Sequence, residues 1–119
     1  YTGHKKAVST LAWSPNGQQI ASGSLDWTVQ IWEASTGKLI TTYTQHQRMV
    51  TAVAWSAAHG RIASTGKDQS VQIWQPQTGD TLYTYRGHTS NVSALAWSLD
   101  GTYLASAGDS DAVHVWWAL

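Results

Sequence analysis

Cysteine and phenylalanine are absent from the 119 residues, and there are only one methionine and two prolines. Without cysteine there is neither a disulfide framework nor thiolate chemistry, and nothing about the redox compartment follows. No stretch approaches the roughly 20 apolar residues that span a bilayer, and no basic segment followed by an apolar one opens the chain. Charge is scarce, at 12% of residues, and balanced, with seven basic against seven acidic side chains. No global field therefore draws the chain onto nucleic acid or an anionic membrane. Helical periodicity is missing from every window, and no Pro-rich or low-complexity linker marks a domain boundary. Taken together these absences give a cytoplasmic protein as the default expectation, with neither nucleic acid nor membrane as a partner.

What the sequence has instead is large rings with a polar handle, eight Trp and five Tyr, spaced by a strict period. Trp13, Trp55 and Trp97 are 42 residues apart, as are Trp32, Trp74 and Trp116. The same spacing relates His4, His46 and His88, then Val8, Val50 and Val92, then Ser22, Ser64 and Ser106. A repeat of this length is the mark of a repeat architecture. The units are 1–43, 44–85 and 86–119.

Within the first unit, Val8 to Trp13, Ile20 to Ser24, Thr28 to Trp32 and Lys38 to Tyr43 are short β-branched and aromatic runs separated by turn residues. This spacing predicts a four-stranded antiparallel meander. Ser14-Pro15-Asn16-Gly17 is a turn with a mechanism, since Pro presets φ and Gly or Asn supplies positive φ. Ser98-Leu99-Asp100-Gly101 repeats that chemistry, whereas Ala57-Ala58-His59-Gly60 keeps only the glycine.

Gly-His, Leu-Ala-Trp-Ser-Pro-Asn-Gly, Ile-Ala-Ser-Gly-Ser and Asp-x-Thr-Val-x-Ile-Trp, as they stand in residues 3 to 32, resemble the WD40 repeat. The resemblance covers essentially the whole chain, although the name-giving Trp-Asp pair reads Trp32-Glu33, Trp74-Gln75 and Trp116-Trp117. It implies an all-β segment of a β-propeller with three four-stranded antiparallel blades, the third lacking its outer strand, and not closed on its own. It also implies a buried hydrogen-bonded chain in each blade: His4, Ser22, Asp26 and Trp32 in the first, and His46, Ser64, Asp68 and Trp74 in the second. The third offers His88, Ser106 and Trp116, with Ser110 in place of Asp and Asp109 or Asp111 as substitutes.

A Ser, a His and an Asp in one unit invite a catalytic-triad reading, and His with Asp a metal site. Both fail for the same reason. A reacting centre is one asymmetric constellation, whereas this trio recurs beside a Trp in each of the first two repeats and incompletely in the third, which marks scaffolding. Asp109-Ser110-Asp111 reads as a solvated turn tip, not a metal site, and the glycines lie in hairpins without the strand-loop-helix context of a phosphate cradle. No enzyme activity, metal or cofactor is expected.

In a repeat protein, recognition belongs to positions where the copies differ. The resemblance places the propeller's narrow face at Ala7, Ser9 and Leu25, then Met49, Thr51 and Lys67, then Asn91, Ser93 and Asp109. Read in order, the set is apolar, then basic, then acidic. Such a surface suits a protein or peptide partner. Trp27, aligned with Gln69 and Asp111, is expected to pack across the neighbouring blade, with a binding anchor as the alternative; Trp117 is expected to face outward.

The function expected is that of a non-catalytic protein-protein interaction scaffold, part of a larger signalling or sensing protein of the kind that carries bacterial and fungal multi-repeat arrays. A ligand- or carbohydrate-binding propeller is the alternative. Three blades leave two sheet flanks uncovered, so further blades are expected from a longer chain or from homo-oligomerisation.

Overall fold

The computed structural model describes residues 1–109 and 112–118. Eleven strands form three antiparallel sheets. The first contains β1 (Val8–Trp13), β2 (Gln19–Ser24), β3 (Val29–Glu33) and β4 (Leu39–Tyr43), in that order. The second contains β5 (Val50–Trp55), β6 (Ile62–Gly66), β7 (Val71–Trp74) and β8 (Thr81–Tyr85). In the third, β9 (Val92–Trp97), β10 (Tyr103–Gly108) and β11 (Val113–Trp117) make three strands with β10 in the middle. No helix among the described residues is long and apolar enough to cross a membrane.

The turn chemistry is local and explicit. Gly17 takes φ +71° and its amide donates to the Ser14 carbonyl at 3.0 Å, while Asn16 Oδ1 accepts from the Ser14 hydroxyl and the Gln18 amide. Ser98, Asp100 and Gly101 reproduce this arrangement bond for bond. In the second sheet the glycine sits one residue later, and Gly60 closes on Ser56 four residues back instead of three. Losing Pro and Asn there moves the positive-φ residue but keeps the hairpin.

Strand alternation gives each sheet two apolar faces, and the core lies between sheets, not within them. Ala21, Val29 and Ile31 of the first sheet pack against Val50, Val53, Ile62 and Trp74 of the second. Ala63, Val71 and Ile73 then pack against Val92, Leu95, Trp97 and Leu104 of the third. The first two repeats thus offer the same forward face of Ala, Val and Ile, and each meets Val, a second Val or Leu, and Ile or Leu of the next repeat, with a Trp from a different position in each case. The Trp97 indole adds a bond across the gap, donating to the Ala54 carbonyl at 3.1 Å.

The two outer flanks repeat these faces with nothing against them in the chain. Leu11 is 64% exposed where its equivalent Val53 is 8% exposed, and Val115 is 66% exposed where Ile31 and Ile73 are buried. Val8, Trp13 and Val113 are exposed in the same way. The three sheets therefore do not close into a ring. Trp117 also faces outward, tilted against Tyr103.

Candidate functional site

The β2–β3 turn and the β6–β7 turn are each tied back by a buried polar chain. In the first sheet His4 Nδ1 lies 3.0 Å from Asp26 Oδ2, His4 Nε2 lies 2.7 Å from Ser22 Oγ, and Trp32 Nε1 donates to the same hydroxyl oxygen at 3.1 Å. The second sheet repeats it, with His46 to Asp68 at 3.0 Å, His46 to Ser64 at 2.7 Å and Trp74 to Ser64 at 3.0 Å. The partners fix the tautomer: Nδ1–H donates to the carboxylate, and Nε2 accepts from the serine O–H. This is the bond order of a hydrolytic triad, but here the serine oxygen is buried and one of its two lone pairs accepts from the indole N–H.

A tyrosine extends the chain into the preceding repeat. Tyr43, the last residue of β4, stacks on Trp74 of the next sheet at 4.2 Å between centroids, and its hydroxyl donates to Gln72 at 2.6 Å. Tyr1 does the same with Trp32 and Gln30, while Tyr85 stacks on Trp116 and its hydroxyl shares a hydrogen bond with His114 Nδ1 at 2.9 Å. This Tyr and Gln pair was not anticipated from the sequence, although both positions keep the period of 42.

The third sheet departs from the pattern. His88 Nε2 meets Ser106 Oγ at 2.6 Å, but His88 Nδ1 and Trp116 Nε1 have no partner among the described residues. His114 stands where the others have glutamine and stacks on His88 at 3.8 Å. Ser110, which stands in place of Asp, and Asp111, one of the two expected substitutes, lie outside the described residues, while the other substitute, Asp109, is exposed with its amide on the Asn91 carbonyl.

These environments set an acid response. Burial pushes the Asp26 carboxyl up, but bonds from the Thr28 hydroxyl, the Lys5 and Thr28 amides and His4 outweigh it and hold it at about 2 against an ordinary 3.8. Burial acts likewise on Asp68, where His46 and the Ser70 and Gln47 amides bring it to about 2. A depressed carboxyl contributes stability that is present above its unfolded value and lost as pH falls through the folded one, here between about 4 and 2. Burial, with His114 beside it, lowers His88 below its ordinary 6.5. Its contribution is likewise complete above 6.5 and lost as pH falls below it. The thermal midpoint should therefore drop in two steps on acidification, the third sheet first. His114→Gln should shrink the upper step in a melting series against pH and leave the lower one.

The expected narrow face is built pairwise by one repeated backbone bond. Leu25 donates to Ala7, Lys67 to Met49 and Asp109 to Asn91, each at 3.0 Å. Ser9 and Thr51 also make bonds that the sequence did not anticipate. The Ser9 hydroxyl donates to the Gly23 and Val50 carbonyls, and that of Thr51 to the Thr65 and Val92 carbonyls. Both hydroxyls thus tie one sheet to the next, while Ser9, like Ser93, is exposed and Thr51 is half-buried.

Leu25, Met49, Lys67 and Asn91 line a hollow of about 560 Å³ together with Lys6, Trp27 and Arg48. Trp27 is 46% exposed and sits at φ +75°, a left-handed conformation that bulky side chains avoid. It faces the hollow that Arg48 and Met49 of the second sheet share. Lys6 and Arg48 were missed from sequence, although their position, which holds Ser90 in the third repeat, also differs between copies. Among the described residues no three His, Asp or Glu side chains gather as metal ligands would.

Against known proteins, the "WD domain, G-beta repeat" family matches residues 1–33, 37–75 and 79–116, nearly the whole chain. The chain belongs to the WD40 repeat family. WD40 repeats are protein-interaction scaffolds, generally without catalysis of their own. Among curated relatives, Protein Mut11 of Chlamydomonas reinhardtii is 49% identical over 41 residues, 34% of this chain and 11% of that protein. THO complex subunit 3 of Arabidopsis thaliana is 56% identical over 32 residues, 27% of this chain and 10% of that protein. Ribosome assembly protein 4 of Saccharomyces cerevisiae is 43% identical over 42 residues, 35% of this chain and 8% of that protein. Each likeness spans about one WD40 blade and about a tenth of the relative's length, so it is a likeness of the repeat.

Proposed function

We propose that this chain is a docking platform that binds a protein or peptide partner through the narrow face of its blades. One observation carries the reading: three superimposable backbone links, Ala7 with Leu25, Met49 with Lys67 and Asn91 with Asp109, present apolar, basic and acidic side chains in turn. The scaffold demand is the same at all three, so it does not account for the divergence, whereas recognition does. The relatives named for a complex subunit and an assembly protein fit such a role. In this reading the chain works within a larger cytoplasmic signalling or sensing protein. Its exposed flanks, Val8, Leu11 and Trp13 on one side and Val113 and Val115 on the other, are covered by further blades.

Replacing Met49, Lys67 and Asp109 together by serine tests the site. Surface changes of this kind shift stability by about 0.5 kcal/mol or less each. Affinity capture read by mass spectrometry should lose the partner while the thermal midpoint stays; capture at full yield would show that the narrow face is not the site.

A further inference from the structure

Resting on the narrow-face reading, we infer that the hollow between the first two blades takes an acidic peptide segment carrying one apolar side chain. Lys6, Arg48 and Lys67 converge on its rim, and all three are exposed. Both ion pairs found among the described residues join a histidine to an aspartate, so none of these cations is neutralised by a described carboxylate. Asp26 and Asp68, the carboxylates of the same turns, are turned inward and saturated by their His, hydroxyl and amide partners. A net-neutral chain thus gathers three cations on the rim of one concave site, with the ionised Asp26 and Asp68 turned inward behind them. Opposite charge on the partner is the complement that such a site selects, mostly through the encounter rate and by rejecting like charge.

The floor supplies the second half of the specificity. Trp27, Met49 and Leu25 give an aromatic wall and two flexible apolar side chains, the composition of a small anchor pocket. Trp27 reaches it from a left-handed backbone position held by the Asp26 turn, where Thr28 donates its amide to Asp26 at 3.0 Å. Gln69 occupies the same conformation in the second blade, so the turn imposes the backbone and the indole is this copy's own addition. A nucleic acid fits less well. It needs a basic track along a strand, and the third blade continues the rim with Asp109 instead.

The test uses the full chain and fluorescein-labelled peptides of the form Gly-Glu-Glu-Leu-Glu-Glu-Gly, the same with Lys for Glu, and the same with Ser for Glu, read by anisotropy. A single-stranded oligonucleotide serves as competitor, and a thermal melt accompanies each protein. The expected result is a preference for the Glu peptide of about tenfold or more over the Lys peptide, weakening as salt rises. Lys6→Glu/Arg48→Glu/Lys67→Glu should reverse the preference, and Trp27→Ala should remove binding of both. If the charge-reversed chain does not fold, Arg48→Gln/Lys67→Gln carries the comparison and should lose most of the preference. Equal binding of all three peptides, lost in Trp27→Ala, overturns the acidic assignment but leaves the narrow face as the docking site. A folded chain that binds no peptide, yet still loses its partner on the Met49, Lys67 and Asp109 replacement, overturns the hollow alone. If that replacement also leaves capture intact, both readings fall. Displacement by the oligonucleotide in preference to the Glu peptide overturns the peptide in favour of nucleic acid.

Discussion

Trp74→Ala should destabilise the chain by about 3 to 5 kcal/mol, the range for deleting a fully buried large aromatic. Three losses coincide at that residue. Its ring is wholly buried between the first two blades, it stacks on Tyr43 at 4.2 Å, and its indole N–H satisfies Ser64. A domain of this size is stable by about 5 to 15 kcal/mol, so the variant sits near the edge of folding. The equivalent Trp32→Ala should cost less, because Trp32 is half-buried and lies on the uncovered flank with only Tyr1 stacked upon it. Urea unfolding followed by circular dichroism measures both, and equal midpoints for the two variants would show that burial between blades is not what fixes this residue.

Gly66→Ala should cost about 1 to 3 kcal/mol and also disturb the candidate site. A Cβ at Gly66 would stand 2.2 Å from the Met49 carbonyl oxygen, which belongs to backbone and has no rotamer by which to yield. The backbone at the Lys67 to Met49 link must then shift towards the spacing the first blade shows, where Ser24 holds this position beside an intact Leu25 to Ala7 link, and the Lys67 and Met49 side chains both belong to the hollow. Gly17→Ala is the comparison. It has φ +71° and no heavy atom within 4 Å, so only the left-handed strain of about 1 to 2 kcal/mol applies, and the partner site is untouched. Partner capture and thermal midpoint measured together separate them: both should fall in Gly66→Ala, and only the midpoint in Gly17→Ala.

The strands were legible because turn residues such as Pro15, Asn16, Gly17 and Gly101 separate them, and because the chain writes the same unit three times. The His, Ser, Asp and Trp chain was legible through resemblance, and its geometry in the first two blades repeats within 0.1 Å. Tyr43 escaped notice for a physical reason. It closes one repeat in sequence but works in the next in space, so a reading that treats each repeat as a unit cuts the contact in two. Ser9 and Thr51 have a second duty that the sequence did not show: their hydroxyls hold neighbouring blades together, and a small hydroxyl recurs at that position in all three copies. The hollow itself was half legible. Subtracting the repeats finds Leu25, Met49 and Lys67, but that Lys6, Trp27 and Arg48 converge with them depends on how two blades splay, which no single repeat encodes.

Amide hydrogen exchange of the chain with and without its captured partner tests the division between shared and divergent residues most directly. The narrow-face account predicts new protection in residues 5–8, 25–28, 47–50 and 66–69, around the hollow. The hairpins at 14–18, 56–60 and 98–101, at the opposite ends of the strands, should exchange as before. Protection confined to those hairpins would contradict it.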